Sequence, residues 1–152
     1  AAAQTYMARF HGGFSAADCE AICAAALGVL EHPDMAPVFA APARAEIPVV
    51  GQLALHDGQK LALSGRVDRY IENEDEIMLI DFKTGTPDAS GDIGPALMMQ
   101  MALYRDLVGR AKPDKKITCG IVWTQIARLD HLAASDLDAA LEDIRTGAFT
   151  LA

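Results

Sequence analysis

The chain has 152 residues, 51% of them hydrophobic and 22% charged, which suits one folded domain with a real core and excludes a disordered chain. Thirteen basic residues against 21 acidic ones give a formal charge of −8, unfavourable for a stand-alone nucleic-acid binder because phosphate contacts supply most of that affinity. A bound cation, or the basic groove of a larger parent protein, would offset the deficit. The longest apolar run, 21–30, is too short to cross a bilayer, and no signal-peptide pattern opens the chain, so no membrane role is expected.

The first five residues, Ala-Ala-Ala-Gln-Thr, lack an initiator Met, which suggests a piece of a longer protein. Ser15 and Asp18 form a capping box ahead of Ile22, Ala26, Val29 and Leu30 at helical spacing, predicting a helix over 15–31 that ends at His32-Pro33. Residues 33–43 hold three prolines and read as a loop. A strand follows at 45–50, with Pro48 pointing to a sheet edge. Short strands at 53–55 and 60–63 flank the hairpin turn His56-Asp57-Gly58-Gln59. Strands at 64–72 and 76–83 flank a tight turn, Asn73-Glu74-Asp75-Glu76. The stretch 84–94, rich in Gly, Pro, Asp and Ser, is a surface loop. A helix over 95–110 comes next, then an apolar strand at 117–124, a short strand near 129–132 and a final helix started by Ser135. That order predicts one α/β or α+β layer with a mixed sheet containing an antiparallel meander. Three cysteines, an odd number, argue against a disulfide framework and for a reducing cytoplasm.

The chemistry concentrates in the second hairpin. With Glu74-Asp75 as a two-residue loop, Asn73 faces Glu76, and the same register carries Asp68 opposite Asp81. Two carboxylates then sit roughly 4.5–5.5 Å apart at Cβ, where like charges destabilise a sheet. Alternation puts Lys83 on the same face as Asp81. For Asp68 alone, flanked by Arg66 and Arg69, the plainer reading is a surface acid paired with an arginine. For Asp81 alone, at the end of an apolar run, it is a buried ion pair with Lys83. The joint placement favours a divalent metal site. Mg²⁺ or Mn²⁺ prefers oxygen ligands, and Asp68, Asp81 and the Phe82 carbonyl offer three, leaving positions for water. Lys83 is placed to orient that water, lower its pKa or stabilise charge on the attacked phosphorus; the sequence leaves these three open. Glu46, in the 45–50 strand, is a third carboxylate able to complete the shell, or an exposed edge-strand charge. Gln100 and Tyr104 share a helix face four residues apart, either as a polar pair aimed at the acids or as a boundary glutamine with a core tyrosine.

Gly65-Arg66-Val67-Asp68-Arg69, then Asp81-Phe82-Lys83-Thr84-Gly85, then Gln100-Met101-Ala102-Leu103-Tyr104 resembles, in order and spacing, the RecB-family nucleases of the PD-(D/E)xK superfamily. The resemblance covers about 44–125. The flanks Ala45-Glu46-Ile47-Pro48 and Gly120-Ile121-Val122-Trp123-Thr124 look most like the C-terminal nuclease domain of AddA, the helicase–nuclease subunit of AddAB. The resemblance implies a restriction-endonuclease-like core in which Asp68 and Asp81 bind metal, Lys83 is the catalytic lysine and Gln100 with Tyr104 form an accessory motif. Glu46 aligns with a family acid. It further implies a Mg²⁺-dependent (exo)deoxyribonuclease acting on DNA in double-strand-break repair in a bacterial cytoplasm. ATP would be used only in the parent's helicase region, and an AddB-like second subunit would be the partner. One departure stands out. The family pattern carries a metal-binding His followed by Leu-Leu on a helix before the first core strand, whereas His11 precedes Gly-Gly and His32 precedes Pro. The resemblance thus puts the motif His upstream of residue 1 and implies that the fragment alone binds metal weakly. Two rivals remain: a nuclease-like module that no longer cuts and serves as a DNA clamp or docking surface, and a small metal-dependent hydrolase of nucleotides, for which no phosphate-cradling Gly-rich loop is present.

Overall fold

A computed structural model describes residues 5, 6, 9, 13–39, 42–87 and 91–148; His11 and parts of the 33–43 and 84–94 loops lie outside them. Helix α1 (Ala16–Glu31) starts where the capping box predicts: Ser15 Oγ accepts from the Asp18 amide at 3.1 Å, and the Asp18 carboxylate accepts from the Ser15 amide at 3.2 Å. The proline-rich stretch is not all loop. It holds a 3₁₀ turn (Pro33–Met35) and the single-turn α2 (Ala36–Phe39), because Pro33 at the first helical position wastes no donor and Met35 and Val38 are completely buried.

The four short strands expected between 45 and 72 are two long ones, β1 (Ala43–Ala54) and β2 (Lys60–Glu72), joined through a turn with Gly58 at φ +84°. Gly51 falls between two expected strands and Gly65 within one, and both lie inside the observed strands. A Cβ on Gly51 would sit 2.5 Å from Leu107 Cδ2, and one on Gly65 would sit 2.6 Å from Tyr104 Cε1. The glycines are the seats of an overlying helix, a recognised use of Gly inside strands.

Strand β3 (Glu76–Lys83) leads through helix α3 (Pro95–Ala111) to β4 (Lys116–Trp123), then β5 (Arg128–His131) and helix α4 (Ala134–Thr146). The sheet order is β1-β2-β3-β4-β5, with β3 and β4 parallel and every other pair antiparallel. Pro48 therefore lies in an edge strand, as expected. Ser135 does not cap α4: the cap position is Ala133, without a side-chain bond, and Ser135 Oγ instead meets Asp136 Oδ1.

Two apolar clusters sandwich the sheet. Tyr70, Ile77, Leu79 and Ile121 face Met101, Ala102 and Val108 of α3 and Leu137 of α4. On the other face Ile71, Ile80 and Val122 meet Val29 of α1, Met35 and Val38. The fold is the mixed α+β layer expected from the sequence, matching the restriction-endonuclease-like architecture. Among the described residues no helix is long and apolar enough to cross a membrane.

Candidate active site

The site forms where β2 and β3 part. Their register is the one the turn dictates: Glu72 faces Ile77, Ile71 faces Met78, Tyr70 faces Leu79 and Arg69 faces Ile80. The Asn73 amide donates to the Glu76 carbonyl at 2.8 Å, so the even-numbered residues of β3 direct their backbone groups to β2. The next rung would bond Phe82 to Val67, but pairing stops at Arg69–Ile80 although both strands run on. Instead the Phe82 amide donates to Asp68 Oδ2 at 2.8 Å. A side-chain carboxylate thus replaces a ladder carbonyl. The Phe82 carbonyl is directed to the same opened edge.

Asp81 is the next residue back and faces α3. It is 4% exposed, the one charged residue in the described core. Lys83 Nζ lies 2.6 Å from its Oδ2, and Gln100 Nε2 donates to its Oδ1 at 3.0 Å. Burial pushes the Asp81 carboxyl above its ordinary range; Lys83 and Gln100 oppose that rise, and the charge of Asp68 adds to it. Desolvation therefore outweighs the ion pair here. Oδ2 has no partner in good hydrogen-bond geometry, so the 2.6 Å approach of Lys83 is better described as a charge contact than as a directed bond.

Helix α3 supplies the other wall. Gln100 and Tyr104 do share a face: Gln100 Nε2 lies 3.5 Å from Tyr104 Oη, which in turn accepts from the Arg66 amide at 3.1 Å. A continuous chain of contacts therefore runs from the β2 backbone through Tyr104 and Gln100 to Asp81. It works because Gly65 leaves room for the tyrosine ring. The Tyr104 bond to a backbone amide carries no sequence signal beyond the adjacent glycine, and sequence reasoning missed it.

Asp68, Asp81, Lys83, Gln100 and Tyr104 thus come together. Neither flanking arginine takes Asp68: Arg69 Nε donates to the Val38 carbonyl at 2.6 Å, and Arg66 pairs with Glu46 at 3.2 Å. Glu46 stands apart, its carboxylate exposed and engaged by Arg66. Among the described residues no cluster of three or more His, Cys, Asp or Glu side chains is arranged to hold a metal. The donors that do converge are hard oxygens: two carboxylates, one buried and held above its usual range, and a carbonyl on an opened strand edge. In kind they fit Mg²⁺ or Mn²⁺.

Comparison with known proteins gives one family. The model of the PD-(D/E)XK nuclease superfamily matches residues 3–148. No curated protein matches the chain. Among solved structures, the crystal structure of SSO0001 is similar at 17% identity and a TM-score of 0.42, over 85% of this chain and 59% of that one, too distant to carry an argument. The chain spans less than two thirds of that protein's length.

Proposed function

This chain belongs to the PD-(D/E)XK nuclease superfamily, and we propose that it is a Mg²⁺-dependent DNA nuclease domain hydrolysing phosphodiester bonds. Its substrate is a single strand delivered by a helicase, as part of an AddA-like subunit paired with an AddB-like one in double-strand-break repair. The observation that carries this reading is the convergence of Asp68, Asp81, Lys83 and Gln100 where β2 and β3 separate.

Asp68, Asp81 and the Phe82 carbonyl would hold the cation; when bound, it supplies Lewis acidity and an activated water. Asp81 is poised for this. Its carboxylate is poorly solvated and only partly compensated by Lys83, so a divalent charge gains more there than at an exposed acid. Gln100 donates to Asp81 Oδ1 and leaves Oδ2 for the positive groups. Lys83, half-exposed beside that oxygen, can turn from the carboxylate towards a scissile phosphate and hold its negative charge. Asp68 stays anchored by the Phe82 amide, so its second oxygen points from a fixed base.

The test is cleavage of single-stranded DNA with Mg²⁺ by the full-length protein that contains this chain. Asp81→Ala and Lys83→Ala are each expected to lower kcat by 10²-fold or more, on the scale of lost charge stabilisation. Cleavage that survived either substitution would refute the assignment.

The charge of −8 favours a second reading for the isolated chain, a docking module that does not cut. Calorimetric titration with Mn²⁺ separates the two, since a pure docking surface gives no stoichiometric binding that Asp81→Ala abolishes.

A further inference from the structure

Glu46 lies inside β1 with φ at +56°, in the left-handed region that glycine favours and that a glutamate in mid-strand has no local reason to adopt. The β1–β2 pairing skips one rung there. Ala45 faces Arg69 and Ile47 faces Val67, but Glu46 and the residue opposite it, Asp68, are unpaired. The side-chain alternation changes phase at the same rung. Ala43 packs with the cluster around Ile71 and Ile80, whereas Ile47 and Val49 pack with the opposite cluster. In β2, Val67 and Tyr70, three apart, share one cluster, which strict alternation forbids.

The geometry points to Glu46 as a positioning residue for Asp68. Its left-handed backbone, rather than its carboxylate, releases Asp68 from the β1–β2 ladder so that Oδ2 can take the Phe82 amide. The Glu46 carboxylate explains nothing about that backbone, since it lies exposed against Arg66 at 3.2 Å. Strain held at one residue opposite a functional group is the pattern expected when the surrounding structure over-determines a site. The inference extends the nuclease reading by giving Asp68 its placement, but its primary readout does not depend on cleavage.

The experiment compares Glu46→Gly, Glu46→Gln and Glu46→Val in the 152-residue chain. It reads hydrogen exchange of the Phe82 amide by NMR and Mn²⁺ affinity by calorimetry. Gly takes φ +56° freely and Gln keeps the backbone preference of Glu, so both should leave Phe82 protection and Mn²⁺ affinity within about twofold of the parent. Val, β-branched and averse to positive φ, should speed Phe82 exchange and weaken Mn²⁺ binding, each by about tenfold or more. If Glu46→Val fails to fold, Glu46→Asn and Glu46→Thr make the same comparison, with Asn keeping protection and the β-branched Thr losing it. Protection unchanged in Val or Thr overturns the proposal. So does a tenfold loss of Mn²⁺ affinity in Glu46→Gln with Phe82 still protected, since that outcome makes the carboxylate a ligand. If the parent chain itself binds no Mn²⁺, the cation reading fails for this fragment, and the Phe82 exchange pattern alone still decides the role of Glu46.

Discussion

Asp81 concentrates the conflict between stability and chemistry. An acid 4% exposed whose carboxyl is raised by burial costs folding free energy at neutral pH. The sign follows from proton linkage. The folded state holds the Asp81 proton to higher pH than the unfolded chain does, so the penalty is complete above the folded pKa and fades as pH falls towards the ordinary aspartate value. Asp81→Asn keeps the shape and the bond from Gln100 while removing the charge. In EDTA at pH 7.5 it should raise the melting temperature by on the order of a few °C. That gain should shrink as the pH drops through the folded pKa of Asp81, and cleavage should be lost at every pH. A melting temperature lowered at pH 7.5 would mean that the Lys83 contact outweighs desolvation. Adding Mn²⁺ should stabilise the parent and leave the Asn variant nearly unmoved, because a ligand stabilises only the state that binds it.

At the scale of elements, the site depends on how closely α3 approaches β2. Gly65 sets that distance, since an added Cβ would stand 2.8 Å from Tyr104 Cζ. The ring cannot simply swing away, because its hydroxyl is held by the Arg66 amide. Gly65→Ala should therefore destabilise the chain by about 1–3 kcal/mol, the usual range for overpacking. It should also reduce cleavage by lifting Gln100 from Asp81. Chemical denaturation checks the first effect, and Gly65→Ala combined with Tyr104→Ala checks its cause. The pair should be non-additive by more than about 0.5 kcal/mol, since the second change removes the clash. Much of this hairpin was readable from sequence. The Asn73–Glu76 turn dictated the register of β2 and β3, and the four-residue spacing put Gln100 and Tyr104 on one helix face. What could not be read was where pairing stops. Glu46-Ile47-Pro48-Val49 shows no glycine to announce a left-handed residue, so the phase change opposite Asp68 has no pattern in the sequence. Gly51 misled in the opposite way: it looked like a gap between strands, yet it and Gly65 mark contacts made from far along the chain, with Leu107 and Tyr104. Periodicity reports an element's own face and is blind to a partner's side chain.

At the scale of the molecule, the layer must hold α3 against both the sheet and α4 while the site strains one rung of it. One polar tie spans all three. Asp106 of α3, its side chain 11% exposed, lies 3.0 Å from Arg110 and 3.3 Å from Arg145 of α4, and Arg110 also donates to the Gln52 carbonyl of β1 at 2.9 Å. Asp106 Oδ2 is buried without a well-directed bond, so Arg110 compensates it by charge more than by geometry, while Arg145 donates to Oδ1. Removing the acid leaves two arginines facing each other over a partly buried gap. Because both can still reach water, Asp106→Ala should cost about 2–3 kcal/mol, below the range for fully buried pairs. The pair His56–Glu142 is shorter, at 2.6 Å, but its side chains are 60% and 52% exposed. Truncating His56 to Ala should cost no more than about 1 kcal/mol, because solvent screens an exposed pair whatever its length. Urea midpoints of the two variants, read at an unchanged m-value, test that ordering. If the shorter, exposed pair proved the costlier one to break, burial would not be what ranks the ion pairs of this fold.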